Sequence, residues 1–478
     1  MPTTTLIPLV IVSVYMVLLL GISWYATKLQ KAGLSGYLLA NRGFNWAISA
    51  TMIAGLAIGG SSTVGVAEQA YKNGISAGWY NAAWGTGAII LGLVAAARYR
   101  KFETSTIPEL FERYYDRTGR IIGVIGQVTI MMVITALQFV AGGAILASLM
   151  PEIFNLTGGM ITSAIVFVAV TLVGGYWAAG LSNIVNVIII YIGIGAGVIM
   201  AIARYGGWAT ITSKLPAAHP GTDLFTGVGP LIILAWFLTM IPNALGTQAA
   251  VQIPFASKTP KDARLGMIVG GLLILPAGFL SAIFGIIAAS QWTGLNATLA
   301  LPKVVVSLGP WIAGVTLAGL WAADVSTAVG LLMGSSTLVL EDIIKRFFGW
   351  KPSEKNGMLW GRITVAIVAI ICFVASLYIR GILSTLTTFL SLTAAYTMVL
   401  VGTIFLPSLC RKSTATWTLL TGIAFLATWL LLPAIRIVPH PIYISMPLAI
   451  VTFLAVPLFD NRRATITLKD RDAVKTAG

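Results

Sequence analysis

Charge is the scarcest property of this 478-residue chain. Asp, Glu, Lys and Arg make up 9% of it, where a water-soluble domain carries about a quarter. Too few charged side chains are present to coat a soluble surface. Cysteine is limited to Cys372 and Cys410, which argues against a disulfide framework or a cysteine-based metal centre. The two histidines, His219 and His440, are far apart, and neither metal-ligand spacing nor a nucleophile elbow is found. Without a nucleophile, base and oxyanion donors in one pattern, an enzyme is not expected. No Pro- or Ser-rich linker divides the chain, and no arginine or lysine falls deep inside an apolar run.

Apolar residues dominate instead, at 57%. They form long continuous runs, not the alternating pattern of a membrane barrel. Thirteen runs, at about 5–26, 45–71, 76–97, 121–149, 159–180, 183–205, 228–254, 265–290, 309–340, 362–380, 382–409, 414–434 and 440–459, are each long enough for a helix to cross ~30 Å of hydrocarbon. The expectation is an all-α polytopic membrane protein. Residues 1–5 carry no positive charge and Lys28 and Lys31 follow the first run, so that run reads as a span and not as a cleaved signal. The formal charge of +15 follows the loops. With the N-terminus outside, 24 of the 30 Lys and Arg residues fall in inside segments and six outside. The positive-inside rule therefore predicts a multi-pass plasma-membrane protein with a cytoplasmic C-terminus. The partner implied by this charge is the bilayer and not nucleic acid.

Two spans look interrupted. The second carries Gly59-Gly60-Ser61-Ser62-Thr63, and in the seventh Pro242 and Gly246 bracket Asn243. Paired Gly- or Pro-interrupted spans point to a transporter site built from broken helices, whereas small residues alone also suit close helix packing. Spans 2–6 (45–205) and 7–11 (228–409) form two five-helix units of opposite orientation, each starting with its broken helix. One extra helix precedes them (5–26), two follow (414–459), and a polar cytoplasmic tail (460–478), predicted to be disordered, ends a single transporter domain. In the loop 98–120, Thr106 is placed to cap a short amphipathic helix with Pro108 in its first turn.

The ninth span holds Asp324, Ser326 and Thr327 near its middle. A charge at that depth costs ~3 kcal/mol even on the lenient insertion scale, so such a cluster suggests an ion or solute route. Ala323, Ser326 and Thr327 share one helix face. Their hydroxyls could equally bond back to their own helix.

The chain resembles the sodium:solute symporters, a family that includes sodium-coupled transporters of sugars, proline, pantothenate and sialic acid. Four motifs carry the resemblance over nearly the whole length: Ala322-Ala-Asp-Val-Ser-Thr327 with Ser335-Ser336 and Asp342-Ile-Ile-Lys345; Gln248, Gln252 and Ser257-Lys-Thr-Pro-Lys-Asp-Ala-Arg264; Thr106-Ile-Pro-Glu109 with Arg113; and Gly59-Gly-Ser61 through Gly65 to Ala70-Tyr71 and Gly74. The resemblance implies two inverted repeats and alternating access, in which a bundle rocks against a scaffold. It implies Na+ as coupling ion, no other cofactor, and a sodium held by the carbonyls of Gly55, Ile58 and Ala323 and the hydroxyls of Ser326 and Thr327. A neutral oxygen cage suits a monovalent ion that must leave again. A further sodium site of some members is expected to be absent, because its positions match Asn183, Val329 and Gly330.

Asp324 fills a position that is usually apolar in the family. Three roles are open for it: a charged neighbour that strengthens cation binding, a protonatable carboxyl that makes transport partly or wholly proton-coupled, or a partner for an amine on the solute. The resemblance places Ser62, Asn81 and Trp84 toward the solute, and Gln138 and Asn243 are lone amides in spans that would line the same cavity. Trp84 could instead be packing, and the amides inter-helix contacts. Few polar anchors suggest a small organic solute such as a monocarboxylate or an amino-acid-like compound. A sodium-coupled symporter acting as a monomer is the reading that follows, with a proton-coupled symporter or a transport-dead sensor as alternatives.

Overall fold

A computed structural model describes residues 3–29, 34–149, 151–350, 354–379 and 381–465. Most of the predicted tail, residues 466–478, lies outside the described residues. Those described are overwhelmingly helical. Among them no strand forms, only the isolated bridges Phe44 to Ser257 and Arg411 to Arg463.

In chain order the main helices are α1 (Thr3–Leu29), α2 (Trp46–Ala57), α3 (Val66–Asn73), α4 (Trp79–Val94), α5 (Ile107–Tyr114), α6 (Arg117–Leu149), α7 (Leu156–Arg204), α8 (Pro230–Gly246) and α9 (Gln248–Ala256). They continue as α10 (Pro260–Ile274), α11 (Ala277–Gln291), α12 (Pro310–Leu338), α13 (Glu354–Ser376), α14 (Ile382–Leu390), α15 (Thr393–Phe405), α16 (Thr414–Leu431) and α17 (Ile442–Phe459).

Ten helical segments are long and apolar enough to cross a bilayer, or twelve if two bent pairs each count as one span. Thirteen spans are therefore not established. The shortfall lies at 61–94, where α3 has only eight residues and α4 only sixteen. They meet at Gly74, whose φ of +68° lies in the left-handed region open to glycine. The boundary between the fifth and sixth predicted spans also moves. It falls inside the 49-residue α7 at Gly175 (φ 55°, ψ −147°), where a Cβ would meet the Tyr37 ring at 2.7 Å.

The helices sort into two bodies by their packing. α2, α3, α4, α8, α10 and α11 form a bundle, and α6, α7, α12 and α13 form a scaffold with α1 against α7 and α12. α2 also reaches across to α7 and α12, so the first broken helix sits at the seam. α12 is enclosed, with nearly every residue from Ala313 to Leu338 buried. Large apolar side chains such as Val14, Ile165, Ile199, Ile370 and Leu458 remain more than 60% exposed. Contiguous exposure of that kind is stable against lipid, not water.

The helix ends follow local chemistry. The Asn45 side chain caps α2 by accepting from Ile48 N at 2.9 Å. Thr106 caps α5 through Glu109 N at 3.2 Å, with proline in the first turn as predicted.

Candidate ion and solute site

Both predicted interruptions are breaks. α2 ends at Ile58 (φ −89°, ψ 73°), and the chain resumes through a widened turn at 61–65 with a bend of 54°. α8 and α9 meet at Thr247, in extended conformation, with a bend of 44°. The second break lies one turn later than the sequence suggested. Pro242 and Asn243 sit inside α8, because a membrane helix tolerates proline where neighbouring groups take up the freed carbonyls. Thr397 Oγ1 donates to the carbonyl of Pro242 itself at 2.7 Å, which ties this turn of α8 to α15.

A helix that stops leaves its last carbonyls without partners. At the end of α2 these carbonyls turn to hydroxyls. Ser326 Oγ lies 2.8 Å from Gly55 O, and Thr327 Oγ1 lies 2.8 Å from Gly55 O and 3.2 Å from Leu56 O. The same two hydroxyls lie 2.8 and 3.2 Å from Ala323 O on their own helix. The Ala57 carbonyl accepts from Ser62 Oγ. Of the five positions expected to hold a cation, Gly55, Ala323, Ser326 and Thr327 come together. Ile58 stands at the break, and its carbonyl is not joined to the other four by these contacts. Leu56 joins them unpredicted, although its place one residue past Gly55 in the final turn was the available signal.

Glycines let these helices approach. A Cβ on Gly55 would lie 2.9 Å from Asn183 Cγ. On Gly59 it would run into Thr327 Oγ1 and come within 2.8 Å of Gln138 Oε1. Asn183, one of the positions of the further sodium site expected to be absent, donates to Met52 Sδ at 3.1 Å and accepts from Asn186 at 3.3 Å.

Asp324 is fully buried and makes no contact with the carbonyls of this knot. A Cβ on Gly60 would lie 2.6 Å from its Oδ1, and one on Gly142 would lie 2.5 Å from Oδ2 and 2.7 Å from Ser163 Oγ. The carboxylate thus sits between the first break, α6 and α7, with neither oxygen in a hydrogen bond of good geometry.

A small cavity opens beside the knot. Ser62, Trp84, Gln138 and Asn243 line it, together with Tyr80 and Thr247. Gln138 Oε1 also accepts from Gly60 N at 2.9 Å, which ties the cavity wall to the first break. Asn81 does not line it. Tyr80 and Trp84, four residues apart, share the cavity face of α4, and Asn81 is about 100° further round the helix. It packs on Gly278 of α11 instead. Tyr80 was missed, although its i, i+4 relation to Trp84 could have shown it. Asp324 is not in the lining either, so the geometry gives no support to its pairing with an amine on the solute. The cavity measures about 30 Å³. That is room for about two waters and not for an organic molecule.

On one side of the cavity the loop motifs converge. Thr106 Oγ1 donates to Asp342 at 3.2 Å, Gln248 Oε1 accepts from Ile107 N at 2.9 Å, and Gln252 Nε2 donates to Leu38 O at 2.9 Å and Thr337 Oγ1 at 3.2 Å. Arg120 bridges Asp342 (2.6 Å) and Glu112 (2.7 Å), and Arg346 also pairs with Glu112. Three of the motifs, far apart in sequence, thus form one closed layer across bundle and scaffold.

The sequence pattern of the sodium:solute symporter family matches residues 37–422. The chain belongs to that family. As a member of this transporter family it is a multi-pass membrane protein and not one of an enzyme family. Among its relatives, the osmoregulated proline transporter OpuE of Bacillus subtilis (strain 168) is 25% identical over 382 residues, 76% of each chain. A sodium/proline symporter of Staphylococcus aureus (strain JH9) is 26% identical over 378 residues, 76% of this chain and 73% of the relative. Among solved structures, a Na+-coupled sialic acid symporter in a substrate-bound outward-open state superposes with a TM-score of 0.78 at 16% identity, covering 96% of this chain and 99% of that one. MHP1, a nucleobase-cation-symport-1 family transporter in a closed conformation, superposes with a TM-score of 0.63 at 13% identity, covering 94% and 99%. At those identities the two structures speak for the fold of this symporter alone.

Proposed function

We propose that this symporter couples the downhill entry of Na+ to uptake of a small organic solute by alternating access. One observation carries the reading. Five close oxygen pairs join Gly55 O, Leu56 O, Ala323 O, Ser326 Oγ and Thr327 Oγ1, at 2.8–3.2 Å. Two hydroxyl protons can satisfy only two of them. A proton-poor knot of neutral oxygens at a broken helix is what a monovalent cation would relieve. Ile58 completes the set if its carbonyl turns inward when the ion enters.

In its ionised form Asp324 would add a negative charge just behind the break, where the low dielectric extends its reach. The solute would occupy the cavity between the two breaks, against Ser62, Tyr80, Trp84, Gln138 and Asn243. The cavity must first expand, consistent with rocking of the bundle against the scaffold. The two proline-transporting relatives and the few polar anchors support an amino-acid-like solute or a small monocarboxylate. The two inverted repeats, 45–205 and 228–409, would then supply one broken helix each, within a monomer. The Lys and Arg distribution supports an N-terminus outside and the Asp342 layer facing the cytoplasm.

The test is thermal unfolding of the purified protein in NaCl and in choline chloride, with L-proline, small monocarboxylates and sialic acid as trial solutes. Ligands of the folded state raise the apparent Tm by mass action. Stabilisation by Na+, deepened by one solute, and Na+-driven uptake of that solute into proteoliposomes are expected. Uptake that follows an imposed proton gradient and ignores sodium would overturn the coupling.

A further inference from the structure

A second chamber of about 320 Å³ lies on the opposite side of the cavity from the Asp342 layer. Its polar lining comes from Gln69 after the first break, Ser384, Thr387 and Thr388 on α14, and Arg436 and His440 from the segment between α16 and α17. Trp236 forms its floor and meets Tyr80 of the inner cavity edge to face, with ring centroids 6.0 Å apart. The two chambers therefore share one aromatic partition.

The donors in this vestibule are arranged for an anion. Arg436 Nε donates to Trp429 O at 3.0 Å and Nη2 to Leu430 O at 3.1 Å, so the carbonyls at the end of α16 fix the guanidinium. Three of its five N–H groups remain for a ligand. His440 Nδ1 accepts from Ile442 N at 3.2 Å, which puts the ring proton on Nε2. Burial pushes this imidazole down to about 4, so at neutral pH it is an uncharged N–H donor. The residue is only 6% exposed, and Nε2 has no hydrogen-bond partner among the described residues. A buried donor left unmatched costs about 1–3 kcal/mol; Nε2 is shielded from the chamber in this structure, and a small turn of the ring would bring it to an acceptor there.

We propose that this vestibule is an entry site for the carboxylate of the transported solute, held by Arg436 and His440 with the hydroxyls of Ser384 and Thr388 before the Tyr80–Trp236 partition opens. The inner cavity has no fixed cation, so the vestibule supplies the selection for negative charge that the inner site lacks. This deepens the proposed symport and rests on it only for the direction of travel, because the binding step itself needs no sodium.

The experiment is saturation-transfer NMR of acetate and of its uncharged isostere acetamide on the full chain in phosphatidylcholine nanodiscs, in choline chloride and in NaCl. Acetate is expected to bind in both salts and acetamide in neither. Arg436→Gln should weaken acetate binding about tenfold or more, with partial rescue by Arg436→Lys, because a charge-assisted bidentate pair is lost. His440→Phe and Thr388→Val should each weaken it with the Na+-dependent Tm shift unchanged, and they carry the test if Arg436→Gln does not fold. Equal signals for acetate and acetamide, or acetate binding untouched by all three substitutions, would overturn the proposal. A wild-type protein that binds acetate through these residues yet shows no Na+ stabilisation would sink the sodium reading and leave the vestibule standing.

Discussion

Gln127 Oε1 accepts from Gln248 N at 2.9 Å, while Gln127 Nε2 donates to Gly246 O at 2.6 Å. One scaffold side chain thus holds both edges of the break at Thr247. Gln248 passes the link on, donating from Nε2 to Ser105 O at 3.0 Å. The bundle is pinned at its second broken helix to α6 and to the segment that leads into α5.

Gln127→Leu removes both bonds and leaves two buried backbone groups unmatched, at about 1–3 kcal/mol each. The Gln248 side of the cavity is expected to open more often. With Cys372 and Cys410 replaced by alanine and Ala249→Cys as reporter, maleimide labelling should speed up several-fold over the same background with Gln127 intact. An unchanged rate would mean that Gln127 does not restrain this side.

Thr327→Val deletes the hydroxyl that touches three carbonyls. An oxygen facing a cation is worth about 1.5–3 kcal/mol, so half-saturating Na+ should rise about tenfold or more, read from the Na+ dependence of Tm. Thr327→Ser should restore most of the affinity. Ser326→Ala should act in the same direction. A Val variant with wild-type Na+ dependence would leave the hydroxyl with a packing role alone.

Gly60→Ala places a methyl against Ala141 Cβ and 2.6 Å from Asp324 Oδ1. Overpacking of this kind typically destabilises by about 1–3 kcal/mol, and here it also pushes on the first break. A lowered Tm and loss of uptake are expected. Gly195→Ala on α7 meets nothing within 4 Å and should leave Tm equal or slightly higher, since alanine is the better helix former.

Hydrogen bonding from Arg346, and then from Arg120, holds the Glu112 carboxyl below its ordinary value of 4.5, against the opposing effect of partial burial. A depressed carboxylate contributes stability that is fully present above the unfolded value and is lost as pH falls through the folded one. Tm should therefore be flat from neutral pH down to about 5 as far as this group is concerned, and drop on further acidification. Glu112→Gln should lower Tm at pH 7 and flatten the acid limb. An acid limb of undiminished slope would assign it to other carboxylates.

The membrane class, the two broken spans and the shared face of Ala323, Ser326 and Thr327 were legible because each has a local cause, whereas the pairing of the two hydroxyls with Gly55 was implied only by the family resemblance. Long apolar runs can only be buried in lipid, paired glycines weaken a helix where they stand, and hydroxyls three and four residues after Ala323 must share its face. Of the positions that the resemblance offered, Ser62 and Trp84 line the cavity, and so do Gln138 and Asn243, which stood out as lone amides. What escaped depended on partners distant in the chain. Asn81 and Tyr80 are neighbours in sequence, and only the packing of Gly278 against α4 decides which of them faces the cavity. Asp324 is one residue from Ala323, yet its carboxylate goes to the gaps at Gly60 and Gly142 and not to the carbonyls of α2. The break in the seventh span fell at Thr247 and not around Asn243 because Gln127, from a different helix, satisfies the backbone there. The sequence set which groups the membrane would have to shelter. Tertiary packing set which of them meet, because side-chain direction at mid-depth depends on which neighbouring helix leaves room.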